Sequence, residues 1–244
     1  MSGFSAVQGH QARIFIDEFE LTQQSSGASF TSEMQVIQYP IMGDPAQQQQ
    51  VTSPTFTIPH RGYYTGRGAT GDLGYFEDTL QKRLGSTTPV TVSLMLGPIT
   101  YTMFGTWGTQ LTIDAPVADL ITIEGNWASP DSVKRGLVAA NQTFTDLATS
   151  TPVDLGAVGI ANGAVIHASG FADLSAGAET VIVTVETAST SGGAYILWLS
   201  HTFKKPGAVL KTGSPNPNRW MRVKVDFTAG VPGPVNAMAS ATYV

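Results

Sequence analysis

The sequence predicts a mainly β protein, on three observations. Apolar and polar residues alternate with a period of two, as in "VTVSLML", where Val90, Val92, Leu94 and Leu96 share one face and Thr91 and Ser93 the other. Only 13% of the 244 residues are charged while 42% are hydrophobic, so Thr, Ser, Gln, Gly and Asn carry the polar load. A helical bundle would show Glu, Lys and Arg on its wet faces instead. Clusters of Gly, Pro, Ser and Asn punctuate the second half at short intervals, the spacing of strands joined by turns.

The elements follow in order. Ala12–Ile16 and Phe30–Ile37 read as strands. Between Tyr39 and Thr55, "YPIMGDPAQQQQVTSPT" holds three prolines, a glycine and four consecutive glutamines, and is expected to be a long loop. Loops beyond about 12–15 residues are usually functional or disordered. A strand at Thr55–His60 comes next. "DLGYFEDTLQKRLG" then breaks the pattern: Leu73, Phe76, Leu80 and Leu84 recur at helical spacing, Asp72 can cap the start, and Gly85 can close the end. This predicts one helix at about 73–84 that packs on a sheet. "VTVSLML" and "ITYTMFGTW" flank a Gly97-Pro98 break and read as a hairpin, with Ile99, Tyr101, Met103 and Trp107 on one face against Thr100, Thr102 and Thr106. Leu120–Trp127 closes the first half. A boundary is expected near residue 133, giving domains 1–133 and 134–244. The second holds "GAVIHASGF", "ETVIVTVET", "GAYILWLSHTF", "NRWMRVKVDF" and "VNAMASATYV", an Ig-like or jelly-roll-like β-sandwich in which "KKPGAVLKTGSPNPN" is expected to be a loop.

Chemistry-bearing motifs are sparse. There is no cysteine, which excludes disulfides and thiolate metal sites. The net charge of −5 gives the chain as a whole no electrostatic reason to grip nucleic acid. No secretory leader and no membrane-spanning run is expected. His10, His60, His167 and His201 form no HExxH or i, i+4 pair, and polar positions on strand faces account for them. GxSxG, GxGxxG and the Walker pattern are absent. "TGRGATGDLG" is glycine-rich ahead of the helix, but no lysine follows it and Asp72 would itself occupy the positive helix end, so a tight connection is favoured over a phosphate cradle. Nothing fixes the separation of Asp114, Asp119 and Glu124 as a glycosidase pair. The "NQT" at Asn141 is a glycan-acceptor pattern that matches often by chance. Tyr195, Trp198 and Trp220 lie in the sandwich half, where such aromatics serve either a core or a sugar-stacking platform, the core being favoured. No catalytic residue, cofactor or metal is therefore expected, and the chain reads as a structural or binding protein rather than an enzyme.

The order of elements, with "ARIFIDEFELT", "GYFEDTLQKRL", "PVTVSLML" and "ADLITIEGNWAS", resembles the tail tube family of long-tailed, non-contractile bacteriophages over roughly residues 10–130. The resemblance implies a tail-tube fold of two packed antiparallel β-sheets with one flanking helix. It also implies hexameric rings stacked as a tube for DNA passage and a virion tail location after assembly in the host bacterial cytoplasm. The implied partners are further copies of the chain, tape measure, tail terminator and distal tail components, and viral DNA that passes without specific binding; no membrane insertion is implied. Thr91, Ser93, Thr100 and Thr102 become candidate lumen residues. In the family the long loop reaches a neighbouring subunit, which makes Tyr39, Pro40, Asp44, Gln47, Gln48, Gln49 and Gln50 candidate inter-subunit contacts. The competing expectation is a carbohydrate-binding β-sandwich protein, or another tail decoration or baseplate component.

Overall fold

A computed structural model describes residues 12–17, 19–20, 25–34, 36–39, 48–51, 54–63, 84, 86–116, 122–129, 133–156, 162–213, 217–228 and 234–242. Every regular element among the described residues is a strand. In chain order these are β1 (Ala12–Ile16), β2 (Phe19–Glu20), β3 (Ser25–Ala28), β4 (Thr31–Glu33), β5 (Val36–Tyr39), β6 (Gln48–Val51), β7 (Thr55–Tyr63), β8 (Val90–Leu96), β9 (Ile99–Asp114) and β10 (Thr122–Ser129). They continue as β11 (Val133–Phe144), β12 (Ala148–Thr149), β13 (Val153–Asp154), β14 (Gly163–Ser169), β15 (Val181–Ala188), β16 (Ile196–Phe203), β17 (Gly207–Thr212), β18 (Trp220–Phe227) and β19 (Val235–Thr242). The chain is mainly β with antiparallel ladders, as its alternation and composition predict.

The chain divides into two compact units, one of Met1–Gln23, Thr91–Thr102 and Lys134–Val244, the other of Gln24–Val90 and Met103–Val133. This grouping differs from a contiguous division at residue 133. The reason lies in pairing within the first unit. β1 runs antiparallel to β8, Ile14 opposite Leu94, and Phe15 packs with Met95, Met238 and the partly buried Val138. The early strands therefore bury their apolar face on residues contributed from far along the chain.

The first unit is a β-sandwich with an added layer. One sheet runs β17–β14–β19–β11; the other runs β12–β18–β15–β16, with β13 also on β18. Between them lie Ile166, Ala164, Ala168, Ala237, Ala239 and Ala241 from one sheet and Val181, Val183, Val185, Val223 and Val225 from the other. Each fully buried valine contributes about 1.5–3 kcal/mol. The alanines let the sheets pack closely without voids. β14 is buried along its whole length because both its faces are covered. The expected loop at Lys204–Asn218 is corrected here: Gly207–Thr212 forms β17, paired with β14 from Ala168↔Gly207 to Gly163↔Thr212.

In the second unit β10 lies between β7 and β9, in register from Thr122↔Tyr63 to Ser129↔Phe56 on one side and from Thr122↔Asp114 on the other. β7 also pairs with β3 and β4. The edge is split there because Pro59 has no N–H to donate. β3 ends at Ala28↔His60, β4 begins at Thr31↔Thr57, and the Ser29 amide crosses between them to donate to the Pro59 carbonyl at 3.1 Å.

Two further expectations meet the structure here. The predicted helix lies outside the described residues except for Leu84, which forms an isolated parallel bridge with Gly108. The expected loop from Tyr39 begins and ends in strand: β5 pairs with β6, placing Tyr39, Gln48, Gln49 and Gln50 in a two-stranded ladder with Tyr39↔Gln48 and Ile37↔Gln50. Pro40, Asp44 and Gln47 lie outside the described residues.

Candidate functional site

The four candidate lumen residues occupy the first unit and do not face open space. Ser93, Thr100 and Thr102 are buried. The Ser93 and Thr102 hydroxyls meet at 2.9 Å. Thr91 is half-buried, and its amide donates to Asp17 Oδ1 at 2.7 Å. This corrects the placement read from alternation. Both faces of the β8–β9 hairpin are covered; a mutual hydrogen bond offsets the loss of water for Ser93 and Thr102, whereas the buried Thr100 Oγ1 has no hydrogen-bond partner among the described residues. β9 likewise buries residues of both expected faces: Thr100, Thr102 and Thr106 are buried together with Met103, while Trp107 is 39% exposed. Thr106 Oγ1 donates to the Met103 carbonyl at 3.2 Å across Gly105, whose φ of 61° turns the strand.

The open polar surface is on the second unit. Along β7 the side chains alternate, with Ile58 and His60 buried and Pro59, Arg61 and Tyr63 exposed. β10 repeats the alternation, with Ile123 and Trp127 buried and Glu124 exposed. Register carries the exposed set across three strands, so that Arg61, Glu124 and Thr112 form one row and Pro59, Asn126 and Gln110 the next. Arg61 Nε sits 2.9 Å from Glu124 Oε1, both side chains more than half exposed, and such a pair adds little stability. Gly27 faces Arg61 from β3, and with Ala28 and Ser29 it completes a shallow concavity of about 420 Å³. Among the described residues, one cation, Arg61, and three carboxylates, Glu33, Glu124 and Asp114, lie on this face, which is polar and carries no cationic excess. The alternating run "TFTIPHRGY" carried the signal for it, which the hairpin's more regular pattern masked.

The same sheet has two edges. β3 and β4 form one, made of short polar residues. The other is the far half of β9. The tight Gly97-Pro98 turn lets the seven residues of β8 reach only the first part of β9. β11 also pairs with β9 and meets the Pro98 end, where the Val138 amide donates to the Pro98 carbonyl at 2.8 Å. Gln110–Asp114 therefore have β10 on one side and no paired strand among the described residues on the other. Leu111 is half-buried and Ile113 is 48% exposed at this margin.

The remaining titratable groups do not converge. His60 and His167 are buried, and burial depresses them to about 3 and about 4. His167 pairs with Met238 and Ala208, and His201 with Val183 in the other sheet, so the two histidines do not meet. Glu124 is engaged by Arg61 and Asp119 lies outside the described residues. No cluster of three metal-ligating side chains occurs among the described residues.

No family model matches the chain, and no curated protein matches it. Among solved structures, the chain is similar to the tube-terminating cap of the anti-feeding prophage, at 10% identity and TM-score 0.40, over 56% of this chain and 95% of that one. It is similar to a chain of the sheath–tube complex of an extracellular contractile injection system in the extended state, at 15% identity and TM-score 0.38, over 55% and 93%. It is also similar to the SPP1 Dit protein, at 14% identity and TM-score 0.37, over 96% and 99%. Likeness at this level assigns neither a family nor a function to the chain.

Proposed function

We propose that the chain is a structural subunit of a phage-type tail, not an enzyme, and that its copies join edge to edge into hexameric rings stacked as a tube. The observation that carries this reading is the second unit's sheet, which among the described residues has an unpaired margin at Gln110–Asp114 and at the β3–β4 edge, and one open polar face. A margin of unpaired N–H and C=O groups is a template for another strand. β9 from Gln110 to Asp114 and the β3–β4 edge are different surfaces, so their pairing is head to tail, and head-to-tail contacts close into rings when the rotation fits. The two rows, Arg61, Glu124 and Thr112 and beside them Pro59, Asn126 and Gln110, then face the channel in place of the hairpin hydroxyls. A wall without a cationic excess does not hold phosphates, so DNA passes without specific binding. The β5–β6 segment with Gln47–Gln50 reaches a neighbouring copy, offering donors and acceptors without charge. Tape measure, tail terminator and distal components cap and fill the tube, which assembles in the host cytoplasm and ends in the virion tail. This reading rests on the sequence resemblance and on the two sheet margins.

Electron microscopy of the purified full chain tests it. Hollow rings or tubes are expected. A chain that stays monomeric at high concentration in every condition tried, with no rings in projection, overturns the reading.

A further inference from the structure

The structure separates the three aromatics of the sandwich half. Trp198 is buried in the core cluster at 9% exposure, which removes it as a binding platform. Trp220 and Tyr195 are half-buried near the outward face of the five-stranded sheet. Register builds that face row by row: Trp220 lies opposite Asp154 and Ala188, and Arg222 opposite Glu186, which in turn lies opposite Leu197. Arg222 Nε donates to Glu186 Oε2 at 2.7 Å, and its guanidinium carbon lies 4.0 Å from the centroid of the Tyr195 ring. On the other flank of Trp220, Arg219 Nε donates to Asp154 Oδ1 at 2.7 Å. Each arginine therefore carries its own carboxylate.

We propose that this face binds a neutral pyranose of a surface glycan. The apolar C–H face of the ring lies on Trp220, and two neighbouring hydroxyls bridge Arg222 and Glu186. The chemistry of the face selects this ligand. A pyranose offers one apolar face and adjacent hydroxyls that both donate and accept, and a guanidinium beside a carboxylate matches them with donors and an acceptor. Arg222 is held flat by Tyr195 and Glu186 before any ligand arrives, which lowers the ordering cost of binding. Phosphates and polyanions are disfavoured, because both arginines are already neutralised. The side chains of Arg222 and Glu186 are 31% and 16% exposed, open enough to be reached yet shielded enough for their hydrogen bonds to count. Multiple copies on a ring would add avidity, but the site itself is complete in one chain.

The test uses the full chain labelled with nitrogen-15 and three probes: methyl β-galactoside, methyl β-glucoside and N-acetylglucosamine. The expected result is a shift of the Trp220 indole N–H resonance by at least one of them, with a dissociation constant on the order of 1 mM. E186Q, read on the Trp220 resonance, and W220A, read on backbone amide resonances of Arg222 and Glu186, each weaken that binding at least about tenfold. E186Q keeps the size of the side chain, so it reads the contact even if W220A perturbs folding. No shift of the Trp220 resonance with any of the three sugars, or binding unchanged in E186Q, overturns the proposal. The measurement is made on the protomer, so failure to form rings leaves its outcome unaffected.

Discussion

Asp17 is the residue on which the first unit's early and late strands meet. It adopts a φ of 47°, the sole non-glycine residue with positive φ among the described residues. Its carboxylate accepts from the Thr91 amide at 2.7 Å, its own amide donates to the Thr91 carbonyl at 2.8 Å, and its carbonyl accepts from His167 Nε2. Asp17→Ala loses the carboxylate contact and strains the backbone together, and is expected to cost about 1–3 kcal/mol in denaturant unfolding. Asp17→Gly, which relieves the strain, is expected to cost less. His167 stacks against Phe15 with ring centroids 4.8 Å apart and is held neutral, depressed to about 4 chiefly by burial, with the Asp17 carbonyl opposing the shift. Its ordinary value is 6.5, so below that pH the unfolded chain takes up a proton that the folded chain refuses. Stability is therefore expected to fall as pH drops from 6.5 toward 4, by about 1.4 kcal/mol per pH unit for this group, with His60 adding a similar slope. Unfolding by urea at about pH 7 and about pH 5 checks this: the His167→Gln variant should lose part of the pH dependence, whatever its absolute stability. None of this was legible in the sequence, where a histidine in "GAVIHASGF" looks like any polar residue on a strand face. Its burial depends on β1 covering a second face of β14, which local alternation cannot report.

At the scale of the element, alternation was readable wherever one face is wet and the other dry. β7 and β10 follow it closely, and β15 and β18 bury every second residue. It misled where both faces are covered. In β8 and the first half of β9, hydroxyls and aliphatics are alike inside, so polarity no longer marks the outward side. It was silent for β17, an edge strand whose first five residues are all half-buried and which is bracketed by Lys-Lys-Pro-Gly and Gly-Ser-Pro turn signals. The margin of β9 supports a prediction at this scale. Ile113→Lys alters a residue already 48% exposed, so the melting temperature should hold, within about 0.5 kcal/mol of stability. Ring or tube formation should nevertheless be lost, since an edge lysine discourages strand addition. Tubes that form normally in the Ile113→Lys variant would remove β9 from the interface. Deleting Gln47–Gln50 asks the same question of the β5–β6 segment, and assembly without those residues would deny it a role between subunits.

At the scale of the whole molecule, the two compact units are not contiguous in sequence, although a texture change near "ASPDSVKRG" suggests a single boundary there. The first unit draws on three separate stretches, and the sequence could not show this because strand pairing over such distances leaves no local mark. A chain ending at residue 133 would lose β14 and β19 and uncover Phe15 and Met95. It is expected to aggregate or to melt without cooperativity, whereas co-expression with 134–244 should restore a soluble complex, as size-exclusion chromatography can show. A soluble, cooperatively folding 1–133 would count against the grouping of units. Asp17 and His167 stand 150 residues apart. Met238, which packs on Phe15, leaves the ribosome some tens of seconds after it at ~5–20 residues per second. Throughout that interval Phe15 has Met95 beside it but not Met238, so the nascent polypeptide carries this aromatic ring only part-covered until β19 is made.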